Sequence, residues 1–165
     1  MAYLLDTNVF IQARNLQYGF DFCPAFWDWL DRQNEAGAVY SIRHVGDELA
    51  AGDDDLSDWA SARGDAFFLP PDNQVLPVLP RVSAWAAGQS YEPAAVNTFL
   101  QKADYWLVAF ALAHNHTVVT HEVPADTIRK IKIPNACVGL NVRFMTPYQM
   151  LRHERARFVL GPTPQ

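Results

Sequence analysis

Short apolar runs alternate with longer amphipathic stretches along this chain. The runs at 3–5, 38–40, 66–69, 117–120 and 143–146 hold three or four residues each and predict β-strands. The stretches between them have apolar residues at helical spacing. Strands that alternate with helices predict an α/β fold, here a short-stranded central parallel sheet of about five strands with helices on both faces.

Several residue types mark where the helices begin and end. Ser41 is a typical capping residue and predicts the start of the helix that carries residues 44–51. The acidic run 53–58 could hold a cation, but consecutive acids on a helix point in different directions, so it fits a helix start better. The longest amphipathic pattern predicts one helix over 93–114. The proline-rich stretch before that helix predicts no particular element.

Composition indicates one globular domain over 1–160, followed by a frayed tail at 161–165. Half of the 165 residues are hydrophobic and 19% are charged, which excludes intrinsic disorder. No apolar run approaches the roughly 20 residues of a membrane span. The first residues lack the basic and apolar regions of a secretion signal, so we expect a cytoplasmic protein. Cys23 and Cys137 lack metal-binding spacing and are expected to be reduced, packed thiols.

The charge is distributed unevenly. The net charge is −5, yet residues 129–165 hold seven Lys and Arg side chains and a single acid. Such a cluster could bind a polyanion while the remainder of the chain stays acidic. It could equally be the solvated basic face of a C-terminal helix, and the sequence leaves both interpretations open.

A carboxylate interrupts the apolar face of the longest predicted helix. Asp104 shares one stripe with Leu100, Leu107 and Val108. Burial of an unpaired charge is costly, so the site must supply a cation, hydrogen-bond donors or a proton. The alternative is a structural Asp that caps a neighbouring loop.

Two further acids stand where they would meet Asp104. Asp6 ends the first strand; it could cap the next helix, although Thr7 and Asn8 could do so instead and leave Asp6 free. In the helix after Ser41, helical geometry places Glu48 at the border of the core and its neighbour in water. Glu48 is therefore the candidate, with a half-buried surface acid as its alternative.

The fourth candidate acid follows the fourth strand. Glu122 stands two residues beyond Thr120, whose hydroxyl can donate to a nearby carboxylate, and Asp126 is the competing choice. Ligands of parallel sheets bind beyond the carboxyl ends of the strands, so these acids are expected to converge there. Converging carboxylates repel unless cations neutralise them, and all-oxygen ligands suit Mg²⁺ or Mn²⁺. Two such ions can hydrolyse a phosphodiester.

Four segments carrying these acids resemble the PIN domain family, the nuclease fold of VapC-type toxins. They are Leu4-Leu5-Asp6-Thr7-Asn8-Val9-Phe10, Val45-Gly46-Asp47-Glu48-Leu49, Ala103-Asp104-Tyr105-Trp106-Leu107-Val108-Ala109 and Val118-Val119-Thr120-His121-Glu122. The resemblance implies a three-layer fold and a metal pocket of Asp6, Glu48, Asp104 and Glu122, supported by Thr7, Asn8 and Thr120. The aromatic segment at 18–29 and residues 133–137 look like an uncharacterised PIN-like branch. Glu122 departs from the pattern, which usually has Asp there, and the chain is longer between the second and third acids.

The resemblance also implies a function. It implies Mg²⁺- or Mn²⁺-dependent cleavage of RNA, often a structured RNA such as tRNA, by the toxin of a type II toxin-antitoxin pair. Homodimerisation and inhibition by a cognate antitoxin protein are typical of the family. The RNA backbone is expected to contact Arg129, Lys130, Lys132 and Arg143. An unpaired base could stack on Tyr18, Phe20 or Trp27, although such a cluster is more often part of the core.

Two other functions compete with a nuclease. A PIN fold without catalysis could act as a binding module, and the sequence alone does not exclude it. A haloacid-dehalogenase-like phosphatase also begins with a strand-end Asp, but it needs a second acid where this chain has Asn8. Its catalytic lysine is also missing, since Lys102 stands too close to Asp104.

Overall fold

The computed structural model describes residues 1–162. The predicted tail at 161–165 falls mostly outside this range, and residues 161 and 162 have no regular secondary structure. In the described residues, no helix is long and apolar enough to cross a membrane. Cys23 and Cys137 are both free thiols, as expected.

A five-stranded parallel sheet forms the centre of the molecule in residues 1–162. Its strands are β1 (Tyr3–Leu5), β2 (Val39–Ile42), β3 (Phe68–Leu69), β4 (Thr117–Val119) and β5 (Phe144–Met145). The spatial order is β3-β2-β1-β4-β5. The chain therefore moves outward from β1 to β3 and then returns to place β4 on the other side of β1. Because parallel crossovers are right-handed, the connections before and after this reversal lie on opposite faces of the sheet.

Helices connect and flank the strands. The α-helices are α1 (Thr7–Gln12), α2 (Pro24–Glu35), α3 (Arg43–Ala50), α4 (Asp55–Ser61), α5 (Leu79–Gly88), α6 (Pro93–Gln101), α7 (Ala103–His114), α8 (Ile133–Leu140) and α9 (Pro147–His153). A π-helical turn follows α1 at Ala13–Gln17, and a 3₁₀ turn precedes α5 at Leu76–Val78. The sequence pattern did not predict α5 or α8, since both begin among prolines.

The sheet is covered on both faces. Successive side chains of a strand point to opposite faces, and all three residues of β1 and of β4 are buried. The buried apolar residues form one contiguous cluster around these strands. The predicted fold class is therefore confirmed as an α/β, three-layer arrangement of the PIN-like kind.

The single helix predicted over 93–114 is wrong. The chain breaks at Lys102, whose backbone is extended (φ −100°, ψ 165°), and this residue separates α6 from α7. Asp104 therefore lies in the first turn of α7, and the apolar stripe that seemed to run through it does not continue into α6. Its position at a helix start nevertheless favours a negative charge, because the first turn is the positive end of the helix dipole.

The cap predicted for Ser41 is also wrong, whereas the acidic helix start is confirmed. Ser41 lies within β2, and its buried hydroxyl donates to the carbonyl of Leu5 over 2.6 Å. Ile42 stands at the N-cap of α3 without a side-chain bond. Asp54 caps α4 in a reciprocal pair with Ser57. The hydroxyl of Ser41 thus joins two strands instead of starting a helix.

The aromatic cluster near α2 belongs to the core. Phe20 stacks on Trp27 with ring centroids 4.1 Å apart, and Tyr18 stacks on Phe26 at 4.4 Å. The indole N–H of Trp27 donates to the carbonyl of Tyr18 over 2.7 Å. The faces of these rings pack on one another, so the structure favours a packing role over the stacking of an RNA base.

Candidate functional site

The strand order directs attention to the carboxyl ends of β1 and β4. The strand order reverses at this pair, and in open α/β sheets such a switch point leaves a crevice where ligands bind. Asp6 follows β1 and Thr120 follows β4, and both are almost fully buried. The Thr120 hydroxyl donates to Oδ2 of Asp6 over 2.8 Å. The two strand ends are thus joined through a carboxylate.

Asp6 is itself the N-cap of α1. Its Oδ1 accepts a hydrogen bond from the Thr7 amide over 2.8 Å. The expectation that Thr7 and Asn8 cap this helix is therefore wrong, because the hydroxyl of Thr7 and the side chain of Asn8 bind other groups. The cap holds the Asp6 carboxylate in place at the edge of the sheet.

Thr120 connects three parts of the site. Its Oγ1 accepts hydrogen bonds from the Glu122 amide at 3.0 Å and from Nδ2 of Asn8 at 3.3 Å, besides donating to Asp6. Oδ1 of Asn8 in turn accepts from the His121 amide at 3.1 Å. Asn8 and Thr120 therefore hold the segment after β4 against the start of α1. Their supporting role at a metal pocket, which the resemblance implies, stays a prediction.

Glu48 extends from α3 towards the starts of two other helices. Its Oε2 accepts from the Thr7 hydroxyl over 2.7 Å, and its Oε1 lies 3.4 Å from the amide of Ala103, the first residue of α7. Glu48 is exposed, not half-buried at the core border, but its carboxylate does face the other acids. Asp47 points elsewhere and lines a depression with Arg43.

Asp104 has no hydrogen-bonded partner for its carboxylate in residues 1–162. The side chain is partly buried and lines a cavity together with Lys102, Arg129 and Lys130. Lys102 and Lys130 favour its charged form, yet neither forms an ion pair with it in the described chain. A partly buried carboxylate without donors is uncommon in a protein interior. Asp104 is therefore the least satisfied acid of the four.

Glu122, and not Asp126, completes the acidic cluster. Oε2 of Glu122 accepts from the Ile133 amide over 2.8 Å, and Oε1 lies 3.9 Å from the Lys130 ammonium. Its side chain is 16% exposed. Asp126 is exposed and lines a separate depression with Tyr91. Glu122 thus binds the first amide of α8, a role that sequence reasoning missed.

The four carboxylates influence one another electrostatically. The pKa of Asp6 is raised to about 7, mainly by burial and also by the negative charges of Asp104 and Glu122, while hydrogen bonds from Thr120 and Thr7 oppose the rise. The pKa of Asp104 is raised to about 6, mainly by burial and also by Glu122 and Glu48, while Lys102 and Lys130 oppose the rise. Each of these two acids would be stabilised by a nearby cation.

The carboxylates are neighbours without surrounding one common point. Within residues 1–162, no three Asp, Glu, His or Cys side chains are grouped closely enough to hold a metal ion as they stand. Three of the four acids use oxygens in other hydrogen bonds, Asp6 as the cap of α1, Glu48 with the Thr7 hydroxyl and the Ala103 amide, and Glu122 at the start of α8.

The basic residues predicted to bind RNA are divided between two places. Arg129 and Lys130 line the cavity beside Asp104, and Lys132 is the partly buried N-cap residue of α8. Arg143 does not join them, because its guanidinium donates to the carbonyl and side chain of Asn115, just before β4. It therefore lies at the amino edge of the sheet.

Lys102 is a further basic residue at the site that the sequence analysis did not assign to it. It lines the same cavity as Asp104, two residues away in sequence. The sequence interpretation set it aside as a catalytic lysine because it would stand too close to Asp104 within one helix. The break between α6 and α7 invalidates that argument.

Comparisons with known proteins give one match. The model of the family described as "Domain of unknown function (DUF4411)" matches residues 3–158, from the start of β1 to beyond the end of α9. No curated protein and no solved structure matches the chain. The match includes every acid of the site and every strand of the sheet. The chain therefore belongs to the DUF4411 family.

Proposed function

We propose that this protein is a Mg²⁺- or Mn²⁺-dependent endoribonuclease whose active site comprises Asp6, Glu48, Asp104 and Glu122. The observation that carries this proposal is geometric: Thr7 and Thr120 join Asp6, Glu48 and Glu122 through hydrogen bonds at the switch point, and Asp104 lies close enough to raise the pKa of Asp6. A fold gains nothing from gathering like charges there, so their position indicates a cation-dependent function.

The donor set fits a hard divalent cation. All four side chains offer carboxylate oxygens, which Mg²⁺ and Mn²⁺ prefer, and the site contains no cysteine or histidine ligand that would favour zinc. The second oxygen of Glu122 and the unpaired carboxylate of Asp104 remain available for binding. Because the acids do not yet surround one point, cation binding requires rotation of side chains.

Other residues of the chain position the acids and attract the substrate. Asp6, Glu48, Asp104 and Glu122 would hold the divalent cations, whose chemistry would be to activate a water and stabilise the leaving oxygen. Asp6 is fixed by Thr120 and the Thr7 amide, and Thr7 orients Glu48 through its hydroxyl. The cavity cations beside Asp104 attract a polyanionic backbone towards these acids.

The biological setting follows from the resemblance to PIN domains. We propose a cytoplasmic toxin of a type II toxin-antitoxin pair that cleaves RNA, with tRNA as a typical substrate of such enzymes. A homodimer and a cognate antitoxin are part of this proposal. These elements rest on the resemblance of the four acidic segments, and the active-site proposal stands without them.

One observation favours a second candidate, a PIN-like binding module without catalysis. Glu122 accepts a hydrogen bond from the first amide of α8, and no three ligand side chains in the described part of the chain are grouped closely enough to hold a metal ion. A phosphatase of the haloacid-dehalogenase kind has less support. Asn8, which occupies the position of its general acid, is committed to Thr120 and the His121 amide.

The decisive activity test uses purified protein and total RNA. We expect cleavage with Mg²⁺ or Mn²⁺, none with EDTA, and mapped cut sites that share a feature. Asp6→Asn and Asp104→Asn should abolish cleavage while the circular dichroism spectrum stays unchanged. Asp126→Asn is the matched control, since this acid is close in sequence but lies outside the cluster. Undiminished cleavage by Asp6→Asn or Asp104→Asn would refute the assignment.

A further inference from the structure

The cavity beside Asp104 has two chemically distinct parts. Its floor is apolar and consists of the buried side chains of Ala95, Phe99 and Ile131. Its rim carries exposed cations, and these are Lys102, Arg129 and Lys130. The volume is about 170 Å³, well below the roughly 300–1,000 Å³ of pockets that enclose a whole drug-sized ligand. It has room for one ring-sized fragment of a larger molecule.

Local structure keeps this cavity open and cationic. The extended backbone at Lys102 separates α6 from α7, so the side chains of Phe99 and Asp104 face the gap from two different helices. Ile131 is 3% exposed and anchors the loop between β4 and α8, with Arg129 and Lys130 just before it. In residues 1–162, no hydrogen bond or ion pair engages the side chain of Lys102 or of Arg129. These two cations are available to a ligand.

We propose that this cavity is a nucleotide subsite, which binds one unpaired base on its apolar floor and the attached phosphate on its cationic rim. The combination of an apolar floor and three cations matches a nucleotide, whose base is flat and weakly polar and whose phosphate is anionic. The ring of a base buries apolar surface, and Lys and Arg contact phosphates. A paired base has no free face to insert, so the subsite selects single-stranded segments.

The subsite defines the substrate class of the proposed nuclease and rests on that proposed function for its biological role. Asp104 belongs to both the cavity and the acidic cluster. A base held here therefore places the neighbouring phosphodiester at the carboxylates. The enzyme then cleaves beside an unpaired nucleotide, and loops or tails of folded RNAs are cut before their helices.

The test measures binding in EDTA, so that cleavage plays no part. Fluorescence anisotropy with a labelled single-stranded hexaribonucleotide is compared with the same probe carrying one abasic ribose in the middle, and with a duplex. We expect the abasic probe to bind about tenfold more weakly, and the duplex more weakly still. Lys102→Ala and Arg129→Ala should each reduce the slope of log affinity against log salt by about 0.7. Arg143→Ala, at the amino edge of the sheet, is the control and should change neither quantity.

A second variant separates the base from the charges. Thr98 lines the cavity and is exposed, so Thr98→Phe fills the cavity without disturbing the core. This variant should bind intact and abasic probes equally while keeping the salt slope of the wild type. Equal binding of both probes by the wild type would overturn the subsite, as would displacement of the RNA by an acidic hexapeptide at the same concentration.

The two proposals can fail separately. If binding depends on the base but no metal-dependent cleavage occurs, the subsite is supported and the nuclease proposal is contradicted. If the protein cleaves RNA but binds intact and abasic probes equally, the nuclease is supported and the subsite is contradicted.

Discussion

The two ends of α7 carry ionisable side chains that differ in their hydrogen bonding: the one at the last turn has partners, and the one at the first turn has none within residues 1–162. At the last turn, Nε2 of His114 lies 2.7 Å from Oδ2 of Asp72, and Asn115 ends the helix in a left-handed conformation. Burial opposes the charge of Asp72, but hydrogen bonds from the amides of Val75 and Gln74 and from His114 lower its pKa. At the first turn, Asp104 has no such partner within residues 1–162, and the charges of Glu122 and Glu48 oppose its ionisation while Lys102 and Lys130 favour it.

The two ends differ in whether the fold supplies a partner for the ionisable side chain. Both ends follow the helix dipole, with an acid at the start and a histidine at the finish. Only at the last turn of α7 does the fold itself supply hydrogen-bonded partners for the ionisable side chain. The start keeps a carboxylate whose pKa is raised to about 6, which lowers stability near neutral pH. We infer that its partner, a cation, comes from outside the chain.

The largest expected effect separates the two ends by activity. Asp104→Asn should reduce metal-dependent RNA cleavage by at least about 100-fold, because it removes one of the proposed metal ligands. His114→Ala, at the other end of the same helix, should leave cleavage within about twofold of the wild type. Both rates are measured on one RNA with Mn²⁺. Equal losses in the two variants would show that α7 contributes only stability.

The second prediction concerns the pH dependence of stability in metal-free protein. The pKa of Asp104 is higher in the folded chain, about 6, than in the unfolded one. Its contribution to stability is therefore complete below the unfolded pKa and is lost as the pH rises through 6. Asp104→Asn removes this loss, so its stability relative to the wild type should be about 2 kcal/mol greater at pH 8 than at pH 4.5.

Urea unfolding in EDTA at the two pH values measures this difference. Asp126→Asn serves as the control and should show the same relative stability at both pH values. If the stability of the wild type relative to Asp104→Asn is the same at pH 8 as at pH 4.5, ionisation of Asp104 does not destabilise the fold.

Smaller effects are expected from the hydrogen bonds that hold the acids. Thr120→Val removes the donor to Asp6 and the acceptor for Glu122 and Asn8. We expect about a tenfold weaker Mn²⁺ affinity, the usual size for a group that orients a metal ligand. Thr117→Val, at the opposite end of β4, is the matched control. If both variants bind Mn²⁺ like the wild type, Thr120 does not position the site.

The smallest effect belongs to the satisfied end of α7. His114→Ala removes a partly exposed pair with Asp72, whose side chains are 23% and 44% exposed. Such pairs contribute about 0.5 kcal/mol to the free energy of unfolding. Thermal denaturation should therefore show a slightly lower midpoint, with or without Mn²⁺. A loss of several kcal/mol would show that this end has a larger structural role than its contacts indicate.

Hydrophobic pattern predicted the sheet better than the helices. Short apolar runs identified all five strands of the described chain because a strand buried on both faces has few alternatives. The pattern did not reveal the break at Lys102, since α6 and α7 have helical periodicity on both sides of it. Ser41 was assigned to a helix cap because its hydroxyl is a common cap, and only tertiary structure brings Leu5 within reach.

The sequence predicted that these four acids lie near one another, but not all of the reasons for selecting them were correct. Asp104 does lie within electrostatic range of Asp6, Glu48 and Glu122. The argument that selected Asp104 was wrong, because it assumed a continuous helix. Glu48 is more exposed than expected, and Arg143 lies at the other edge of the sheet. Those features depend on long-range contacts, and residue spacing along the sequence carries no information about them.

Binding of a divalent cation by the four carboxylates is the central claim, and isothermal titration with Mn²⁺ tests it most directly. Wild-type protein prepared in EDTA and then desalted should bind Mn²⁺, Asp104→Asn should lose that binding, and Asp126→Asn should retain it. No binding by the wild type, or the same affinity in Asp104→Asn, would contradict the account.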